Sequence, residues 1–357
     1  MKAASLLPRW TIAAPAIAWL ALAGTAAGFG DWYAALLAGA LVACVVAAVH
    51  HAEVVAHRVG EPFGTLVLAV AVTVIEVGLI VSLMVSGGAA ASALARDTVF
   101  AAVMLILNGM VGICLLLGGQ RHGEQTFTLT GVSASLATLA AIVTLTLVLP
   151  NYTVTTPGPV YSRSQLSFIA LVSLALYGTF VLVQTVRHRD YFLPAGGDEE
   201  HVEPPPDRVA WASAALLVVA LAAVVLLGKG LAPAIERGVT AIGAPQSLVG
   251  VIIAAVVLMP ECLAAVRAAR ANRLQTSLNL ALGSALASIG LTIPAVALVS
   301  LANDWTLTLG IDAMSTVLLV LSLMVATLSL STGRTTVLQG VVHLVIFASY
   351  LLFTIVP

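Results

Sequence analysis

Long apolar runs of nearly uniform length alternate with short polar gaps along this chain. Each run holds roughly 20 residues, enough to cross a bilayer as a helix. Eleven are read: Trp10–Gly28, Trp32–His50, Phe63–Ser86, Thr98–Gly119, Thr128–Leu149, Gln165–Val186, Val209–Leu227, Pro245–Val266, Gln275–Leu301, Thr306–Leu330 and Thr335–Val356. The pattern predicts an all-α polytopic membrane protein with about eleven transmembrane helices. Composition agrees, since 60% of the 357 residues are hydrophobic, 9% are charged and the mean hydropathy is +1.08. A soluble domain cannot hide that much apolar surface. The first run follows Lys2 and Arg9 and ends in small residues at Ala23–Gly28, much as a signal peptide does. Hydrophobic segments follow it at once, so it is expected to stay as the first helix.

Charge then orients the helices. With the N-terminus inside, eleven Lys and Arg residues fall in cytoplasmic gaps, against four outside: Arg96, Arg163, Lys229 and Arg237. The positive-inside tendency therefore places the N-terminus in the cytoplasm and the C-terminus outside, in a cell (inner) membrane. The net charge of −1 adds nothing about partners, and no nucleic acid is expected. The longest cytoplasmic gap, Arg187 to Arg208, carries Asp198, Glu199, Glu200, His201, Glu203 and Asp207 beside the run Pro204-Pro205-Pro206. It reads as a solvated linker or, more sharply, as a regulatory acidic segment that senses cytosolic cations. Without the first helix, ten helices divide five and five around this joint. The expected division is an extra N-terminal helix (1–31), a first five-helix repeat (32–186), the acidic linker (187–208) and a second repeat (209–357). An odd number of spans in each half makes the two repeats inverted.

Two acids break the apolar pattern, on the second helix of each half. Glu76 is the only charged residue between Phe63 and Ser86, and Glu261 the only one between Ala244 and Val266. A charge at that depth costs roughly 3 kcal/mol or more, so such residues usually carry ions or protons. Thr73 lies three residues before Glu76, on the same helix face, and a carboxylate with a hydroxyl suits a hard cation. Pro260 precedes Glu261 and removes a helix bond, freeing carbonyl oxygens near Val256 and Val257. Break and acid together are read as an oxygen-lined pocket. Asn108 on the third helix needs a buried partner, for which Glu76 is a candidate. Ser284 and Ser288, on the third helix of the second half, share one face and serve either packing or the cation site. His50, His51, Glu53 and His57 cluster at the inner end of the second span, as a proton path or gate or as an interfacial cap. His343 and Asp312 receive no role. Cys44, Cys114 and Cys262 are scattered and imply neither disulfide nor metal centre.

A carboxylate binds a cation or a proton but holds both poorly, because burial favours the neutral acid and a nearby cation favours the anion. That competition couples two opposite fluxes, and two carboxyls match one Ca²⁺ or two protons. Glu76 and Pro260-Glu261, with Gly283-Ser284 on the helix after, resemble the two alpha repeats of the cation/calcium exchanger (CaCA) superfamily. The stretch from His50-His51-Ala52-Glu53 to Gly60-Glu61-Pro62-Phe63-Gly64-Thr65 resembles its bacterial calcium/proton antiporter branch, which includes ChaA-type antiporters. The resemblance implies ten core helices, one central cation site and proton-coupled export of Ca²⁺, or of Na⁺ and K⁺. One pattern departs from it. Many proton-coupled relatives carry Gly-Asn four and three residues before each glutamate, where this chain has Val72-Thr73 and Val257-Leu258. The partners expected are an inorganic cation, protons and the lipid bilayer, with homo-oligomer formation left open and no cofactor. An intramembrane enzyme and a channel are the competing classes. The chain shows no paired-Asp, His-Glu-x-x-His or Gly-x-Ser-x-Gly motif to support the first.

Overall fold

The computed structural model describes residues 7–25, 32–60, 63–87, 92–193 and 204–356. Eleven helices run through them: α1 (Arg9–Gly24), α2 (Trp32–Val59), α3 (Phe63–Gly87), α4 (Leu94–His122), α5 (Leu129–Tyr152), α6 (Arg163–Arg187), α7 (Asp207–Ala241), α8 (Ser247–Arg270), α9 (Leu274–Ala302), α10 (Ala313–Ser329) and α11 (Val337–Ile355). Among the described residues nine of these are long and apolar enough to cross a membrane; α1 and α10 are shorter. The chain is a multi-pass membrane protein. Helix ends follow local chemistry. Gly60 (φ 74°) closes α2 and Gly123 (φ 77°) closes α4, both in the left-handed region that a side chain resists. Ser162 caps α6 in a reciprocal box with Gln165, and Thr336 does the same for α11 with Gln339.

Two helices depart from the pattern read along the chain. The seventh span was expected to stop at Leu227, before Lys229, but α7 continues through Lys229, Glu236 and Arg237 to Ala241. Charge ends an apolar run without ending a helix, and no breaker acts until Gly243 (φ 69°). At Pro260 a break was expected, yet α8 runs unbroken with the proline inside it. The missing N–H removes the bond to the Val256 carbonyl without unwinding the turns around it.

The helices form two compact units, Met1–Ala91 with Glu199–Val249, and Ser92–Asp198 with Gly250–Pro357. In the first, α2 packs against α1, α3 and α7, and α3 also packs on α7. The contact faces are built of small residues. Cys44, Ala47, Ala48 and Ala52 of α2 are fully buried, as are Ala220 and Ala223 of α7. A Cβ on Gly78 would meet Val225 at 2.5 Å, and one on Gly228 would meet Leu79 at 2.1 Å. Where both solvents are apolar, such close backbone approach is what holds helices together. Charge adds a further link where Arg58 pairs with Asp207.

In the second unit α9 packs on α5 and α6, while α11 lies along α4. The α4–α11 seam is the tightest: Gly340 backs onto Leu116 and Gly112, and Gly112 faces His343 and Leu344. A two-residue antiparallel ladder, β1 (Gln125–Thr126) with β2 (Arg334–Thr335), ties the end of the same helix pair. At Leu105–Met110 helix α4 widens into a π turn, and comparable turns occur at Thr144–Val148 in α5 and Val183–Arg187 in α6.

Candidate cation site

Each glutamate lies within its helix, one in each unit. Glu76 in α3 is 2% exposed, and Thr73 is buried one turn before it, so the expected carboxylate and hydroxyl do share a buried helix face. Glu261 in α8 is half-buried. Each carboxyl has one oxygen wholly enclosed, Oε1 of Glu76 and Oε2 of Glu261. Val257 is buried and Pro260 half-buried, both within one turn of Glu261. The carbonyl that Pro260 leaves without an intrahelical donor belongs to Val256. Among the described residues no three His, Cys, Asp or Glu side chains converge as a metal centre. A cation here would need carboxylate together with neutral oxygens, the mixture that suits a hard ion.

Asn108 differs from the expectation. It sits fully buried in the π turn of α4, where its Nδ2 donates to Ser322 Oγ (2.8 Å) and lies 3.8 Å from Met104 Sδ. Its Oδ1 lies 3.4 Å from His343 Nδ1. The Ser322 hydroxyl in turn donates to the Leu318 carbonyl (2.6 Å). Within this unit Ser322 and His343 are thus the partners of the carboxamide. Both lie inside apolar helices and both are fully buried. The sequence reading missed them. The signal was available, since His343 interrupts an apolar span as Glu76 does, and an intramembrane ionisable residue calls for a partner.

On α9, Ser288 is buried and Ser284 half-buried, on one face as read. The residues of the histidine cluster face different neighbours, although the His50 and His51 rings meet edge-on with centroids 5.7 Å apart. His51 is fully enclosed, with Nε2 3.1 Å from the Thr11 carbonyl and Nδ1 3.4 Å from Ser213 Oγ, so it fastens α1 and α7 to α2. His50 lies against Trp10, with ring centroids 5.8 Å apart. Glu53 and His57 are exposed, and His57 Nδ1 reaches only the Glu53 carbonyl one turn back (3.0 Å). Asp198, Glu199, Glu200 and Glu203 lie outside the described residues. Asp312 caps α10, accepting hydrogen bonds from the Ser315 N–H (2.9 Å) and hydroxyl (2.8 Å).

Family comparison matches residues 31–186 and 212–356 to the sodium/calcium exchanger protein family. The chain belongs to that family. Within this exchanger family it is 53% identical over 324 residues to y4hA of Sinorhizobium fredii, named for ionic transport, covering 90% of this chain and 88% of that one. To the sodium-potassium/proton antiporter ChaA of Escherichia coli it is 37% identical over 310 residues, covering 85% and 83%. The solved Ca²⁺/H⁺ antiporter YfkE shares the fold with a TM-score of 0.76 at 16% identity, covering 98% of this chain and all of that one. The exchanger is therefore a member of the CaCA superfamily, in its bacterial calcium/proton antiporter branch.

Proposed function

We propose that this exchanger is a secondary active cation/proton antiporter that moves Ca²⁺ against protons by alternating access. Glu76 and Glu261 act as shared cation ligands and proton carriers, supported by Thr73 and by the oxygens beside Pro260. The observation that carries this reading is the enclosed carboxyl on an otherwise apolar helix, found once in each half of the chain. A cation draws each acid to its charged form and a proton displaces the cation, so neither ligand crosses without the other leaving. Two carboxylates balance one divalent ion. The halves are assigned as inverted repeats, 32–186 and 209–357, with the N-terminus cytoplasmic in the inner membrane.

A monovalent reading uses the same residues. The 37% identity to a sodium-potassium/proton antiporter supports it, as does the absence of Asn at positions 73 and 258. In that case one acid stays protonated while the other binds Na⁺ or K⁺. The test is isotope or dye-detected flux through purified Glu76→Gln and Glu261→Gln. Each is expected to fold and insert but to lose exchange entirely. Normal exchange by either variant overturns the assigned role.

A further inference from the structure

We propose that His343, through Asn108, is a positioning residue that fixes the π turn of α4 facing the helix of Glu261; this rests on the exchanger reading of Glu261. The π turn touches different surroundings on its two sides. On one side Asn108 enters the fully buried set of Ser322, Met104 and His343. On the other side Leu105, Gly109 and Met110 line an apolar cavity of about 220 Å³. Across that cavity stand Leu258, Met259 and Cys262, the α8 residues that flank Pro260 and Glu261.

The two walls of that cavity do not touch one another, and the turn packs instead on α9, α10 and α11. Its placement relative to α8 is therefore set from those helices. The hydrogen bonds there run in one direction. The Asn108 amide donates to Ser322, and Ser322 donates to the Leu318 carbonyl, so Asn108 Oδ1 is left to accept from His343 Nδ1–H. The Leu107 carbonyl, inside the π turn, is a second neighbour of the imidazole. Gly112 and Gly340 let α11 lie close against α4: a Cβ added at Gly112 would meet the His343 Cβ at 3.1 Å, and one at Gly340 the Leu116 nitrogen at 2.5 Å, so His343 sits hard against the α4 backbone. A π turn carries one more residue than the α-helix would in the same length, and such turns persist where side chains hold them. Without the donor at position 343 the turn is free to relax to α geometry. That change rotates Gly109 and Met110 around the helix and reshapes the wall opposite Leu258, Met259 and Cys262, the α8 turn that carries Glu261.

The experiment compares His343→Leu with His343→Asn, in transport and in thiol chemistry. An Asn side chain places its Nδ2 near the position of the imidazole Nδ1, so it keeps the donor while losing the second ring nitrogen. Cys262 is the half-buried thiol on the cavity, whereas Cys44 and Cys114 are buried. Maleimide labelling of Cys262, with Cys262→Ala as blank, therefore reads the cavity wall without reference to transport. His343→Leu is expected to raise the apparent KM for the cation and to speed Cys262 labelling severalfold. His343→Asn is expected to restore both. If Asn behaves as Leu does, or if neither variant alters labelling, the positioning role is wrong. Should His343→Leu fail to fold, Ser322→Ala loosens the same chain from its other end, and unchanged labelling there refutes the proposal equally. A chain that transports no cation still gives the labelling result, so failure of the exchanger reading is seen separately.

Discussion

Replacing Gly340 by alanine tests how tightly α11 is held to α4. The added Cβ would sit 2.5 Å from the Leu116 nitrogen, 2.8 Å from its Cα and 2.9 Å from the Gly112 carbonyl oxygen. Ordinary contact begins near 3.5 Å, so the helices must part by about 1 Å. All three obstacles are backbone atoms that no rotamer change can move. Overpacking of this kind costs typically 1–3 kcal/mol, and a backbone clash belongs at about 3. Alanine also gains about 1 kcal/mol over glycine in a helix, which a single variant would hide. Gly178→Ala supplies the control, because nothing lies within 4 Å of its added Cβ. The difference between the two variants isolates the clash. At about 1–2 °C per kcal/mol for a chain of 357 residues, Gly340→Ala should melt roughly 3–6 °C below Gly178→Ala in detergent. Equal melting temperatures would refute the account of the α4–α11 seam.

Three further expectations follow from the structure. Pro260→Ala returns a donor to the Val256 carbonyl, so it should raise thermal stability by about 1–3 kcal/mol and weaken cation affinity in flux assays; unchanged affinity would remove that carbonyl from the site. For Asp312, burial pushes the carboxyl up, but the hydrogen bonds from Ser315 outweigh it and leave its pKa below the usual carboxylate value. Its stabilising contribution is then full above the unfolded pKa, about 4, and is lost as pH falls through the lower folded value. The melting-temperature gap between wild type and Asp312→Asn should be present at pH 7 and narrow below pH 4; a gap independent of pH contradicts the charged cap. Thr73→Ala should weaken apparent cation affinity without abolishing proton coupling, and identical cation dependence would leave Thr73 as a packing residue.

The helix count was legible because bilayer length is written in one dimension: an apolar run as long as Thr98–Gly119 or Thr128–Leu149 matches the span of a bilayer. The two glutamates were legible for the same reason, as charges where charge is costly. The limits are equally physical. Lys229 ended an apolar run while the helix around it continued, since helix termination depends on caps rather than on hydropathy. The π turn at Leu105–Met110 left no local signature, because it is held by Ser322 and His343, more than 200 residues away in the chain. Asn108 was recognised as needing a partner, but spacing alone could not choose among the distant candidates. For the four histidine-cluster residues, proximity in sequence concealed that successive positions on a helix face different neighbours: His51 points between α1 and α7, and His57 out of the bundle.

The most direct test of the account is transport in proteoliposomes loaded with a pH dye, pulsed separately with Ca²⁺, Na⁺ and K⁺ against an imposed proton gradient. The account predicts proton movement on Ca²⁺ that vanishes in Glu76→Gln. Proton movement on Na⁺ or K⁺ alone would keep the mechanism and change the ion. No cation-dependent proton flux from well-folded protein would contradict the antiporter reading itself.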